Sequence, residues 1–139
     1  MKLKYLCISI SGLLLSCTDN KTGNMSKAMN DYSTSKNEIK AAVKSGDTSA
    51  YKDLRVISLE EPLTALLPWS KLMADKFKYA PACFDVYYII LTSNNLSLYS
   101  LDSLGEKDRK IAERYLILGA KKDDFRATEI LDSLKIQWK

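Results

Sequence analysis

Histidine is absent from all 139 residues. That removes the commonest general base near neutral pH and the commonest metal ligand, so no histidine-based hydrolytic or zinc site can be built from this chain. The glycines number only five and are scattered, and none forms a glycine-rich phosphate loop. Cysteine is nearly as scarce, at Cys7, Cys17 and Cys83. Charge is close to balanced, 21 basic residues against 17 acidic, which gives no electrostatic reason to expect a nucleic-acid partner. Long apolar runs are missing too. The most apolar stretch near the N-terminus spans roughly ten residues, where a membrane-crossing helix needs about twenty.

What is present begins at that short run. Lys2 and Lys4 precede "YLCISISGLLLS", and the apolar character then collapses into "TDNKTGN". A short cationic start and a short apolar segment are the pattern of a secretory signal peptide. Its end, Leu14-Leu15-Ser16-Cys17, resembles the lipobox of bacterial lipoproteins: aliphatic, permissive, small, cysteine. The resemblance implies diacylglyceryl transfer to the Cys17 thiol, cleavage after Ser16, and acylation of the new amine. Two or more acyl chains hold a protein stably at a bilayer, at about 0.8 kcal/mol per buried methylene. The expected organisation is a signal peptide over 1–16, a lipidated cysteine and flexible tether over 17–30, and one domain over 31–139. An ordinary signal peptide with a chance cysteine is the competing reading of the same residues.

Cleavage after Ser16 leaves 123 residues (139 less 16), enough for one domain with one core. It also removes Lys2 and Lys4 and no acid, so the net charge falls from +4 to +2. Only Cys83 then remains beside the lipidated residue, which rules out a disulfide within the mature domain. Helix packing must supply the stability. Within "PACFDVYYIIL", Cys83 reads as a small buried apolar residue, since no histidine exists to activate its thiol.

From about Asn30 the apolar spacing is helical. Ile39, Ala42 and Val43 share one face; Gly46 is a stop and Asp47 the next N-cap. Ala50, Leu54 and Ile57 continue the pattern. Pro68 suits the first turn of a helix carrying Trp69, Leu72, Met73 and Phe77. The stretch Ala82–Leu91 is rich in strand-formers, but no second strand exists to pair with it, so a helix is expected. That helix is read with two apolar faces, Cys83, Val86, Tyr87 and Ile90 on one and Phe84, Tyr88 and Leu91 on the other. Residues 93–104 read as a loop. Ile111, Ala112, Tyr115, Leu118 and Gly119 face inward on the next helix, where Glu106 and Lys110 form an i,i+4 pair. Asp123 or Asp124 caps a last helix with Ala127, Ile130, Leu131 and Leu134 inside. The fold class expected is all-α, an antiparallel helix-pair array of about five to six helices.

A weak repeat runs through these elements. "AVKSGDTSAYKDL", "ADKFKYAPACFDV" and "GAKKDDFRATEIL" each begin with a small residue (Ala42, Ala74, Gly119). Alanine follows eight positions later (Ala50, Ala82, Ala127), and an aliphatic four beyond that (Leu54, Val86, Leu131). The spacings between units are 32 and 45 residues, in the range of helix-pair repeats. The units are similar to tetratricopeptide and Sel-like repeats, although the second lacks the usual glycine.

Few residues are candidates for chemistry. Asp85 is the only charge between Lys78 and Asp102. It is expected on the solvated edge of its helix, because no second group converges on it; a buried carboxylate in a pocket is the sharper alternative. Lys36, Lys40 and Lys44 recur every four residues and are expected as a solvated basic face. Tyr51, Arg55, Trp69, Asp85 and Tyr88 are the candidate partner-binding residues, since Tyr, Trp and Arg dominate protein-binding hot spots. The chain is therefore expected to be a non-enzymatic, cofactor-free and metal-free lipoprotein of the bacterial cell envelope, periplasmic or surface-facing. Its partners are expected to be the membrane, through Cys17, and a protein. Two roles compete: an adaptor or accessory subunit of an envelope assembly, and an immunity protein covering a secreted toxin. The alternative class is a small-ligand binder or enzyme using Asp85 and neighbouring tyrosines.

Overall fold

A computed structural model describes residues 34–137. The expected signal peptide, Cys17 and the expected tether lie outside the described residues. Within them the chain forms six helices and no strand: α1 (34–44), α2 (Thr48–Ile57), α3 (Leu67–Asp75), α4 (Ala80–Ser93), α5 (Glu106–Ala120) and α6 (Phe125–Ser133). The strand-forming composition of Ala82–Leu91 is overridden, as expected, and that stretch is the heart of α4. None of the described helices is long and apolar enough to cross a membrane.

Three tight turns join the helices in pairs, and they are the physical content of the weak repeat. At each, one residue adopts positive φ: Gly46 (93°), Lys78 (55°) and Asp123 (63°). The following residue, Asp47, Tyr79 or Asp124, is the extended N-cap of the next helix. Asp47 and Asp124 each accept hydrogen bonds from two first-turn amides, while Tyr79 makes no side-chain cap. In the first and third turns the small residue accepts the closing bond, from Asp47 N to Ala42 O (3.1 Å) and from Asp124 N to Gly119 O (3.0 Å). This is the Schellman closure of a helix end. The second turn is one residue wider, with Tyr79 N donating to Met73 O. Lys78 thus occupies the place that glycine holds in the first unit. Gly46 has a second constraint, because a Cβ there would lie 2.5 Å from the Phe77 ring.

The core has two parts that share α4. Val43 from α1, Ala50, Tyr51 and Leu54 from α2, and Met73 and Ala74 from α3 pack on Ala82, Cys83, Val86 and Ile89. On its other side Phe84, Tyr87 and Leu91 meet Ala112, Leu116, Ala127, Ile130 and Leu131. The two faces of α4 differ in two respects from the expected ones. Tyr87 belongs to the second, donating its hydroxyl to the Leu98 carbonyl, and Tyr88 is exposed. Gly119 lets three helices converge: a Cβ there would stand 3.2 Å from Ala127 Cβ and 3.4 Å from Cys83 Cβ. Loop 94–105 contains a short 3-10 turn, Leu101–Ser103, whose Leu101 is buried, as is Leu104 just after it.

Candidate functional site: a groove beside Asp85

Asp85 is not on a solvated edge. It is 5% exposed, in the middle of the most buried helix. The expectation failed because burial here depends on partners 15 to 34 residues away, which local spacing does not reveal. Arg55 Nε lies 2.8 Å from Asp85 Oδ2, and the Tyr51 hydroxyl is 2.8 Å from the same oxygen. Tyr51 is also 2.8 Å from Ser70 Oγ, which in turn lies 3.1 Å from the Leu66 carbonyl. Residues from α2, α3 and α4 thereby meet in one buried polar chain.

The phenol has a single proton and two acceptors within reach. An ionised Asp85 takes it, because a charged acceptor makes the stronger bond, and Ser70 can then donate to the phenol oxygen. With Asp85 neutral, Tyr51 can donate to Ser70, whose own hydroxyl donates a hydrogen bond to the Leu66 carbonyl. Burial raises the pKa of Asp85, opposed by the positive charge of Arg55 and the hydrogen bond from Tyr51. Burial also raises that of Tyr51, reinforced by the adjacent Asp85 charge, so the phenol stays neutral. Cys83, fully buried two positions before Asp85, is pushed up to about 11 by desolvation; its thiol is not a nucleophile at neutral pH.

Above this network lies a concave surface made of two adjoining cavities that share Lys52 and Arg55. One, of about 470 Å³, has apolar walls of Val56, Leu59, Leu63, Leu66, Tyr88 and Ile89, with Asp85 beside Arg55. The other, of about 590 Å³, runs between the α3–α4 and α5–α6 turns and includes Tyr79, Lys122, Phe125 and Arg126. An aromatic ladder underlies both: the Arg126 guanidinium sits 4.2 Å from the Phe84 ring centre, and Phe84 stacks on Tyr88. Arg126 is itself held by Asp124, with Nη2 2.8 Å from Oδ2.

The surface combines exposed apolar side chains with the charges of Lys52, Arg55, Lys122 and Asp123. Among the described residues five large apolar side chains are exposed, and four of them, Val56, Leu59, Tyr88 and Phe125, line these cavities. Leu59 and Phe125 are about three-quarters exposed, at 77% and 75%.

Of the five candidate binding residues, three converge. Arg55, Asp85 and Tyr88 all line the 470 Å³ cavity. Tyr51 is fully buried beneath them and cannot touch a partner; its part is to hold Asp85. Trp69 is elsewhere, against α1, with Lys40 and Lys44 Nζ 5.8 and 6.0 Å from its ring centre. The basic stripe is therefore not simply solvated, since Lys36 also pairs with Glu61. Sequence reasoning missed Val56, Leu59, Phe125 and Arg126. A signal existed: Lys52, Arg55, Val56 and Leu59 stand at i, i+3, i+4 and i+7, a second stripe beside the buried one.

Comparison with protein-family models, curated proteins and solved structures finds no match to this chain.

Proposed function

We propose that the protein is a lipid-anchored binding protein of the bacterial envelope, which engages a protein partner through the groove over α2 and α4. The observation that carries this reading is the concentration of exposed Val56, Leu59, Tyr88 and Phe125 around Arg55 in one concave surface. Exposed apolar residues gathered into one patch mark interaction sites, and the aromatic and arginine content is that of binding hot spots. Binding rather than turnover is favoured by the state of Asp85, whose Oδ2 is engaged by Arg55 and Tyr51. The anchor rests on Leu14-Leu15-Ser16-Cys17 and the short apolar run before it. An accessory subunit and an immunity protein both use such a surface, and the identity of the captured partner separates them.

The test is affinity capture from gently solubilised envelope, with the wild type and Leu59→Asp side by side. Leu59 is largely exposed, so the substitution is expected to change stability by no more than about 0.5 kcal/mol. A stoichiometric protein that co-purifies with the wild type and is lost from Leu59→Asp is the expected outcome. Equal recovery on both would place the partner surface elsewhere. For the anchor, Cys17→Ser is expected to abolish incorporation of labelled palmitate and leave the precursor uncleaved; normal maturation would refute it.

A further inference from the structure

Arg55 combines two properties that single out a recognition residue. Its Nε is placed by the ion pair to Asp85, and Asp85 is fixed from below by Tyr51. The Arg55 ion pair uses Nε, its terminal nitrogens have no hydrogen bond to another described residue, and Arg55 lines both cavities. One turn earlier Lys52, exposed and without an ion pair among the described residues, lines the same two cavities. A guanidinium paired through Nε with a buried carboxylate, with its terminal donors left over beside an apolar cavity, is a receptor for an oxyanion.

We propose that the groove recognises a partner segment that presents a carboxylate beside a large apolar side chain. The carboxylate sits on Arg55 and Lys52, and the apolar side chain fills the 470 Å³ cavity against Leu59, Leu66 and Ile89. Charge complementarity carries the choice of ligand. Of the three acids that line the two cavities, Asp85 is engaged by Arg55 and Tyr51, and Asp124 by Arg126 and the first amides of α6. Asp123 offsets Lys122 in the second cavity, which leaves the positive charge of Lys52 and the outward donors of Arg55 to be met. This inference rests on the protein-partner reading above and deepens it.

The experiment is isothermal titration calorimetry on the full chain in lipid nanodiscs, with empty nanodiscs as the blank. The probes are N-acetyl-Leu-Phe with a free C-terminal carboxylate, the same dipeptide as its amide, N-acetyl-Leu-Glu-Phe-amide, its Gln counterpart, and 4-phenylbutyrate. At least one carboxylate peptide is expected to bind about ten- to hundredfold more tightly than its uncharged twin, the range for a hydrogen bond to a charged group. Which of the two does so tells a chain end from an acidic side chain. The double variant Arg55→Gln/Asp85→Asn removes the cation without stranding a buried charge, and in it the discrimination is expected to vanish while the circular dichroism is unchanged. Lys52→Gln, at an exposed site, is expected to reduce the discrimination severalfold. Equal binding of charged and uncharged twins would overturn the inference, as would discrimination that survives in the double variant. Tighter binding of 4-phenylbutyrate than of either peptide would overturn it in favour of a free small acid. Failure of Leu59-dependent capture removes the protein-partner reading alone, because the peptide comparison is made on purified components.

Discussion

Burial of the Asp85 carboxylate raises its pKa, and the Arg55 charge and Tyr51 hydrogen bond pull it back only in part. An acid with a raised folded-state pKa holds its proton in the native state at pH values where the unfolded chain has lost it. Its contribution to stability is then complete below the unfolded value of about 3.9 and is lost as pH rises through the folded one. Asp85→Asn removes that dependence and leaves every other titrating group in both proteins. Denaturant melts of the two at about pH 4 and about pH 7 are therefore expected to diverge, with the variant gaining relative to the wild type at the higher pH. A constant difference would mean that the carboxylate titrates alike in both states. The feature was not legible in the sequence, because Arg55, Tyr51 and Ser70 come from two other helices and only packing brings them to residue 85.

At the scale of elements, the three turns do the organising. Gly46 and Lys78 occupy equivalent positive-φ positions, one suited to that conformation and one not. Gly46→Ala meets both the backbone penalty and the Phe77 ring, and is expected to destabilise the fold by at least about 1 kcal/mol. Lys78→Gly relieves the same backbone penalty and is expected to stabilise it by up to about 1 kcal/mol. Thermal unfolding of the two variants checks the pair, and a stabilising Gly46→Ala or a destabilising Lys78→Gly would contradict the shared turn geometry. Much of this layer was legible in the sequence. Gly46 followed by Asp47, Pro68 at a helix start, and Ala50, Ala82 and Ala127 at equal register all carry local signals that local geometry obeys. The second turn was harder to read because Lys78 gives no hint of positive φ. The groove was harder still, since Val56 and Leu59 look like core residues until the inner face is known to be filled by Ala50, Tyr51 and Leu54.

For the whole molecule the decisive feature is that α4 belongs to both parts of the core. Neither half can open without exposing one side of a helix that the other half needs covered, so unfolding should be a single event. Leu131→Ala, in the second part, is expected to cost about 2–5 kcal/mol. It should accelerate hydrogen exchange of the most protected α2 amides as much as those of α6. Acceleration confined to α5 and α6 would show two independently opening units. The same sharing has a practical side. A visitor to the groove rests on Asp85, Tyr88 and Ile89 of the one helix that the entire fold grips, so its binding energy is felt as heat resistance of the whole chain. The protein is in this sense its own thermometer. Crude extracts can be ranked by how far they delay its melting, with Leu59→Asp as the blank, long before anything in them has been identified.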